Sequence, residues 1–388
     1  MISHELVYLD HPSTSWPKPA AVTTAVIEAL SCAGSPARGA HQGAREAERR
    51  LREARRSAAD FFGVTDARNL VFVPGATYGL NLVLRGLCEP GDRVAVFCGE
   101  HNAVTRPLGE LAQLQDVELR WIGSDSEGVI DLTKADAALR EAPTKLLVCQ
   151  QASNVTGALQ PLAELAALAH AQGTLLVVDG AQTAGHLPLD LETSGADAWV
   201  CSGHKALRGP AGSGLVWLSP DTHVLPLITG GTGAGERFAD PFTLQRPGDY
   251  EAGTVALPAY CGLGAALDAL AEVEAASHAT ERQLIARLIE GLKALDIPTL
   301  HLIGPADVTR RVPLVSCFDD RIPSERLAYE LDHRFNIATR AGRHCAPSLY
   351  DALGLPASGT LRMGVGPENT PEEIDYAVES LGELLSAV

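Results

Sequence analysis

Between Leu70 and Leu218 the chain alternates short apolar, β-branched runs with stretches of helical periodicity, and this alternation restricts the fold more than any other feature. The apolar runs fall at 70–73, 93–97, 117–122, 145–149, 174–178, 198–201 and 214–218. Helix-like stretches at 78–87, 103–114, 133–140 and 162–171 separate several of them. Parallel strands need long crossovers, and strands buried on both faces read as continuous apolar runs. The pattern therefore predicts an α/β fold with a wound, mainly parallel or mixed sheet covered on both faces. An amphipathic helix at 44–62, dense in Arg and Glu with pairs such as Glu46–Arg50, precedes it.

After about residue 256 the character changes. An Ala/Leu/Glu-rich stretch at 262–295 reads as one or two helices. Strand-like 312–318, helix-like 324–334, strand-like 360–364 and a final helix at 372–386 follow, with Pro371 in the first turn, where proline is tolerated. This predicts a smaller α+β carboxy-terminal domain. The Pro- and Gly-rich stretch 229–253 reads as a long connecting loop, and its glycine cluster at 230–235 as a flexible segment without a GxGxxG fingerprint.

Composition narrows the partners. The 388 residues are 46% hydrophobic and 20% charged, ample for a large core. Lys and Arg number 31 against 48 Asp and Glu, giving −17, a field that disfavours nucleic acid and anionic membranes as main partners. No run approaches 18 uninterrupted apolar residues, and residues 1–5 carry no basic-then-apolar leader. The eight cysteines lie far apart, without CxxC or CxxC…HxxxH spacing, so no metal site is expected. They read as reduced thiols of a soluble cytoplasmic protein, mostly core filler.

Chemistry gathers at strand ends. Of the five lysines, Lys18, Lys134, Lys145 and Lys293 sit in polar or helical surface contexts. Lys205 instead ends Asp197-Ala-Trp-Val-Cys-Ser-Gly-His-Lys205, a strand running into a tight turn. It is either a surface lysine after a strand or an amine placed to condense with a carbonyl. Asp179 closes the apolar run 174–178 and is followed by Gly180-Ala-Gln182. A buried carboxylate needs a partner, which a structural donor, a metal or a protonated pyridine nitrogen would supply. Pro74-Gly75-Ala76-Thr77 is a small-residue turn before a helix, with Thr77 placed to cap it; it is either a capped helix start or an anion site. It lacks the GxxxxGK[ST] pattern of a nucleotide P-loop. His101 follows the strand at 93–97, either as a structural residue or as an imidazole able to stack and move protons. Asn154, after the next buried run, offers an amide.

With those residues in view, the sequence resembles the class V aminotransferase superfamily of fold-type I pyridoxal phosphate enzymes, most closely the cysteine desulfurase and selenocysteine lyase group. The motifs that carry the resemblance span almost the whole chain. They are Tyr8-Leu-Asp10, Gly75-Ala-Thr77, Glu100-His101, Ser153-Asn-Val-Thr-Gly157, Val178-Asp-Gly-Ala-Gln182, Ser202-Gly-His-Lys205, Glu251-Ala-Gly-Thr254 and Arg340-Ala-Gly-Arg-His-Cys345. The resemblance implies a large cofactor domain at 15–255 with a seven-stranded, mainly parallel sheet. It also implies a small domain at 256–388, with the segment 1–14 packed on the small domain.

It further implies that Lys205 holds pyridoxal 5'-phosphate covalently, Asp179 pairs with its pyridine nitrogen, Gln182 bonds its phenolic oxygen and His101 stacks on its ring. Ala76, Thr77, Ser202 and His204 would hold the phosphate, joined by Thr254 from a second copy in a homodimer. Arg362 would take the substrate carboxylate, assisted by Asn154 and Arg340. Cys345 would be the nucleophile that removes sulfur from L-cysteine as a persulfide, leaving alanine, with Arg343 or His344 steadying its thiolate. A sulfur-acceptor protein, feeding iron–sulfur cluster or related sulfur metabolism, would follow. The alternatives are a selenocysteine lyase acting on L-selenocysteine, another class V aminotransferase or C–S lyase that ignores Cys345, or a catalytically silent partner module. Lys205, Asp179 and His101 together argue against the silent module. Two departures stand out: His11-Pro12-Ser13 replaces the usual Asn-Ala-Ala, and Arg343 stands where histidine is common.

Overall fold

The seven apolar runs assemble into one sheet in the computed structural model, which describes residues 5–36, 39–231 and 244–387. Residues 1–4 of the amino terminus, and 232–243 of the expected 229–253 loop with most of its glycine cluster, lie outside the described residues. The chain enters through β1 (Val7–Tyr8), α1 (Ala20–Leu30) and α2 (Gln42–Phe61). The alternating region follows as β2 (Leu70–Val73), α3 (Ala76–Leu87), β3 (Arg93–Phe97), α4 (Asn102–Gln115), β4 (Glu118–Ile122) and α5 (Leu132–Glu141). It continues as β5 (Leu146–Gln150), α6 (Leu162–His170), β6 (Leu175–Asp179), β7 (Ala198–Ser202) and β8 (Gly214–Leu218).

Across the sheet the order is β2-β8-β7-β6-β5-β3-β4. Strand β8 runs antiparallel to both neighbours, and the remaining pairs are parallel. Alternate residues serve opposite faces, the expected consequence of a two-residue period. Phe72, Phe97, Leu147, Val178, Trp199 and Trp217 pack towards α2, α5, α6 and the start of the next helix. Val73, Val96, Val148, Val177, Val200 and Val216 pack towards α3 and α4. At one edge, β4 exposes Glu118 and puts Arg120 in an ion pair with Glu141, so charge blunts its open side.

The stretch expected as one or two helices is a single helix, α7 (Leu257–Ala294), 38 residues long. Its first turns bury Tyr260, Leu263 and Leu267 against the large sheet. Its last turns bury Leu284, Leu288 and Leu292 in a separate core. That core lies on a four-stranded sheet, ordered β12-β13-β10-β9. Its elements are β9 (Leu300–Ile303), β10 (Leu314–Asp319), α8 (Ser324–Phe335), β11 (Ile337–Ala338), β12 (Arg340–Gly342), α9 (Pro347–Leu353), β13 (Thr360–Gly364) and α10 (Pro371–Ser386). Val7 and Leu9 belong to the same core, and β1 pairs in parallel with β11. Strands of two or three residues, such as β1, β11 and β12, are too short to display a period, so sequence pattern does not announce them.

The outer edge of β2 is closed by one buried ion pair. Arg55 of α2 donates to both carboxylate oxygens of Glu251, at 2.8 and 2.7 Å, and to the Leu70 carbonyl. Glu251 Oε1 also accepts the Phe72 N–H, which no strand partner takes. Removing one partner of such a pair strands a buried charge. Glu251→Ala should lower the unfolding free energy by about 3–5 kcal/mol, read from chemical denaturation. A loss below about 1 kcal/mol would show that the pair is solvated like a surface bridge.

Candidate active site

Because β2, β3, β5, β6 and β7 all run in the same direction, the polar segments that follow them emerge at one edge of the sheet. In open α/β sheets that carboxyl edge is where ligands bind. Here it carries a cavity of about 180 Å³. The residues expected at the site line it except Thr254, which is exposed elsewhere on this chain, and Arg343. A larger open recess of about 1010 Å³ beside Arg246 contains no lysine or cysteine among its described lining residues.

On the floor, Asp179 ends β6, and its Oδ1 accepts the Ala181 N–H at 2.9 Å. Burial pushes its carboxyl above the ordinary range, opposed by the charge of Lys205. Lys205 follows β7. Burial brings its ammonium from 10.5 down to about 8, against the pull of Asp179. An amine in that range is readily neutral, the form that attacks carbonyls. The backbone carbonyl of His204, directly before Lys205, accepts from Ser15 N–H at 3.0 Å and from Lys18 Nζ at 2.8 Å. Lys18 is therefore not a plain surface lysine. It is half-buried, and burial lowers its ammonium to about 8.

Above the floor, His101 is the N-cap of α4, and its Nδ1 accepts the Ala103 N–H at 3.0 Å. Burial, with Lys205 and Arg340 nearby, pushes the imidazole down to about 4, so the ring stays neutral. Glu100 beside it is fully buried, accepts the Gln150 N–H at 2.5 Å, and is raised well above the carboxylate range by burial. Beyond the motif it belongs to, nothing in the local sequence marks Glu100 as a carboxyl enclosed in the core.

One corner is formed by a helix N-terminus. Gly75, at φ +155°, is the N-cap of α3, and no side chain caps that helix. Thr77 thus lies inside the first turn and is not the cap expected from the sequence, because the left-handed region suits Gly75 and turns the chain two residues earlier. The Ser202 hydroxyl accepts the Ala76 N–H at 3.0 Å. The remaining amides of the first turn meet the positive end of the helix dipole.

The roof comes from the small sheet and the amino-terminal segment. Arg340 of β12 and Arg362 of β13 are direct cross-strand partners and lie side by side. Arg362 is buried, donating to the Asn154 carbonyl at 3.0 Å and to Asp10 at 3.2 Å. Asn154 Nδ2 donates to the His344 carbonyl at 2.5 Å, while its Oδ1 is buried without a partner. Gln182 Nε2 donates to the Pro12 carbonyl at 3.1 Å.

Cys345 and His344 both adopt positive φ, 59° and 47°. Non-glycine residues held there are strained, a feature that clusters at functional sites. The Cys345 carbonyl accepts the Asn102 N–H at 2.7 Å, tying this turn to the start of α4 beside His101. Neither neighbour offers the thiol a cation. Arg343 is spent on Asp351 at 2.7 Å and lies over the Tyr350 ring, and His344, bonded to Thr360, is pushed down to about 3 by burial. The positive groups lining the same cavity are Lys205, Arg340 and Arg362.

A family model for class-V aminotransferases matches residues 7–377. The chain belongs to the class-V aminotransferase family. Among similar proteins of this family, a "Probable cysteine desulfurase" of Pseudomonas aeruginosa is 36% identical over 95% of this chain and 91% of its own. A cysteine desulfurase of Klebsiella pneumoniae is 34% identical over 97% and 92%. Among solved structures, the apo cysteine desulfurase of Thermococcus onnurineus superposes with a TM-score of 0.91 at 30% identity, over 99% of this chain and 96% of the other. A cysteine desulfurase of Escherichia coli superposes at 0.85 and 29%, over 99% and 95%. The fold of this class-V aminotransferase is thus that of fold-type I pyridoxal phosphate enzymes.

The depressed Lys205 ammonium makes a pH prediction. The neutral amine, the reactive form, should become abundant as pH rises through about 8 and not through 10.5. Condensation of an added aromatic aldehyde with this amine, followed as absorbance, should show an initial rate rising with a midpoint near 8. A midpoint above 10 would mean that burial does not govern this lysine.

Proposed function

We propose that the cavity binds pyridoxal 5'-phosphate and that the protein is a cysteine desulfurase, converting L-cysteine to L-alanine with transfer of the sulfur to Cys345. The observation that carries this reading is the meeting of Lys205, after β7 of the large sheet, and Cys345, after β12 of the small one, in one cavity. The residues present suit the cofactor. A buried Asp179 without an arginine partner wants a protonated nitrogen, the helix N-terminus at Ala76 and Thr77 with Ser202 and His204 suits a phosphate, and Gln182 can reach a phenolic oxygen. Neutral His101 can lie against the ring. Thr254, exposed on this chain, would serve the phosphate of a second copy in a homodimer.

Bound pyridoxal phosphate supplies an electron sink for charge that develops at the substrate Cα. Arg362, with Arg340 and Asn154, orients the α-carboxylate, for which a guanidinium fork is suited. The Lys205 amine, in its neutral form, would take the Cα proton at Nζ. Cys345, as thiolate, attacks the substrate sulfur: the Sγ–S bond forms, the Cβ–S bond breaks, and its electron pair passes to the carbon skeleton, which is reprotonated and leaves as alanine. The persulfide on Cys345 then awaits a sulfur-acceptor protein or a thiol reductant. All eight cysteines are free thiols, which suits a reducing, cytoplasmic compartment, and among the described residues no helix is long and apolar enough to cross a membrane.

Two variants test the roles separately. Lys205→Ala should lose the visible absorbance of the cofactor-loaded protein together with alanine release; retention of both would end the assignment. Cys345→Ser should keep the absorbance and its response to L-cysteine, yet form no persulfide detectable by mass spectrometry. Alanine and sulfide released at the parental rate by that variant would move the reading to a lyase that bypasses the thiol, including one specific for L-selenocysteine.

A further inference from the structure

Ser13 belongs to the segment that departs from the family pattern, and its hydroxyl sits between the two arginines. Its Oγ accepts from Arg340 Nη1 at 2.8 Å and from Arg362 Nη2 at 2.8 Å, and donates to Asp10 Oδ1 at 2.7 Å. A hydroxyl has two acceptor lone pairs and one proton, so all of its capacity is spent. The geometry is imposed by backbone: Ser13 N–H bonds the Asp10 carbonyl at 3.0 Å, and Asp10 bridges to Gly364, two residues beyond the β13 arginine.

The Arg340 side chain has no other hydrogen-bond partner among the described residues, and it is half-exposed. Arg362 is buried and anchored separately by Asn154 and Asp10. The two cations repel each other as cross-strand neighbours, and the Ser13 oxygen is the one atom that holds both. We propose that Ser13 is a positioning residue that keeps Arg340 beside Arg362, so that both guanidiniums receive the carboxylate of an amino-acid substrate. Alanine at this position would free Arg340 to turn towards water and leave Arg362 as the sole fork. The inference deepens the function proposed above and rests on reading the cavity as an amino-acid site.

The test compares the parent, Ser13→Ala and Ser13→Thr, all cofactor-loaded, with propionate as the probe because it has the carboxylate and neither the amine nor the sulfur. Loss of a charge-assisted hydrogen bond should weaken propionate binding in calorimetry by about ten-fold in Ser13→Ala and raise KM for L-cysteine similarly, with kcat little changed. Ser13→Thr, which keeps the hydroxyl, should recover both. Thermal midpoints of the three proteins should agree, since a general loosening would not be rescued by a hydroxyl. Ser13→Ala binding propionate like the parent, or Ser13→Thr failing alongside it, would overturn the proposal. A parent protein that releases no alanine but binds propionate with the same dependence on Ser13 would uphold the carboxylate pair and remove the desulfurase reading.

Discussion

The strands β3, β5, β6 and β7 run parallel and are buried on both faces, and this constraint organises the rest of the molecule. Inside such a sheet every backbone donor and acceptor is taken by a neighbouring strand, and both faces must be apolar. Polar side chains can then appear only where strands stop. The carboxyl ends carry His101, Asn154, Asp179 and Lys205 because nowhere else in those segments can a charged or polar group meet a ligand without disrupting the core.

A site assembled at a sheet edge still needs a roof, and the roof is bought with length. Helix α7 crosses from one core into the other, and Val7 and Leu9 return the amino terminus to the second. The small sheet then delivers Arg340, Arg362 and Cys345 over the edge of the large one. Desolvation does the chemical tuning: it lowers Lys205 to about 8 and His101 to about 4 while raising Asp179 and Glu100. The same enclosure that shapes the cavity therefore holds an amine that loses its proton far more readily than a free lysine, beside a neutral imidazole.

Particular residues mark how far the sequence could be read. Asp179 and Lys205 were legible because each closes an apolar run, and a charge in that position has to have a reason. Thr77 was misread as a helix cap, since a threonine before a helical pattern is an ordinary cap and the positive φ of Gly75 is visible only once the chain is folded. Lys18 looked like any exposed lysine, yet it grips the carbonyl of His204 across 186 residues of chain. Ser13 stands out in the sequence only as a departure, because two of its three hydrogen bonds reach Arg340 and Arg362, hundreds of residues along the chain.

Local pattern thus determined the class of sheet, its two-sided burial and the positions where polar groups must surface, while the family was carried by the motifs at those positions. These follow from the two-residue period of strands and from the cost of burying charge, and both act within a few neighbouring residues. Tertiary structure alone decided which strand-end groups share a cavity, which arginine is anchored and which is held by a single hydroxyl, and in which charge state each buried group rests. Those outcomes depend on desolvation and on contacts between distant segments, and neither exists until the two cores have packed together.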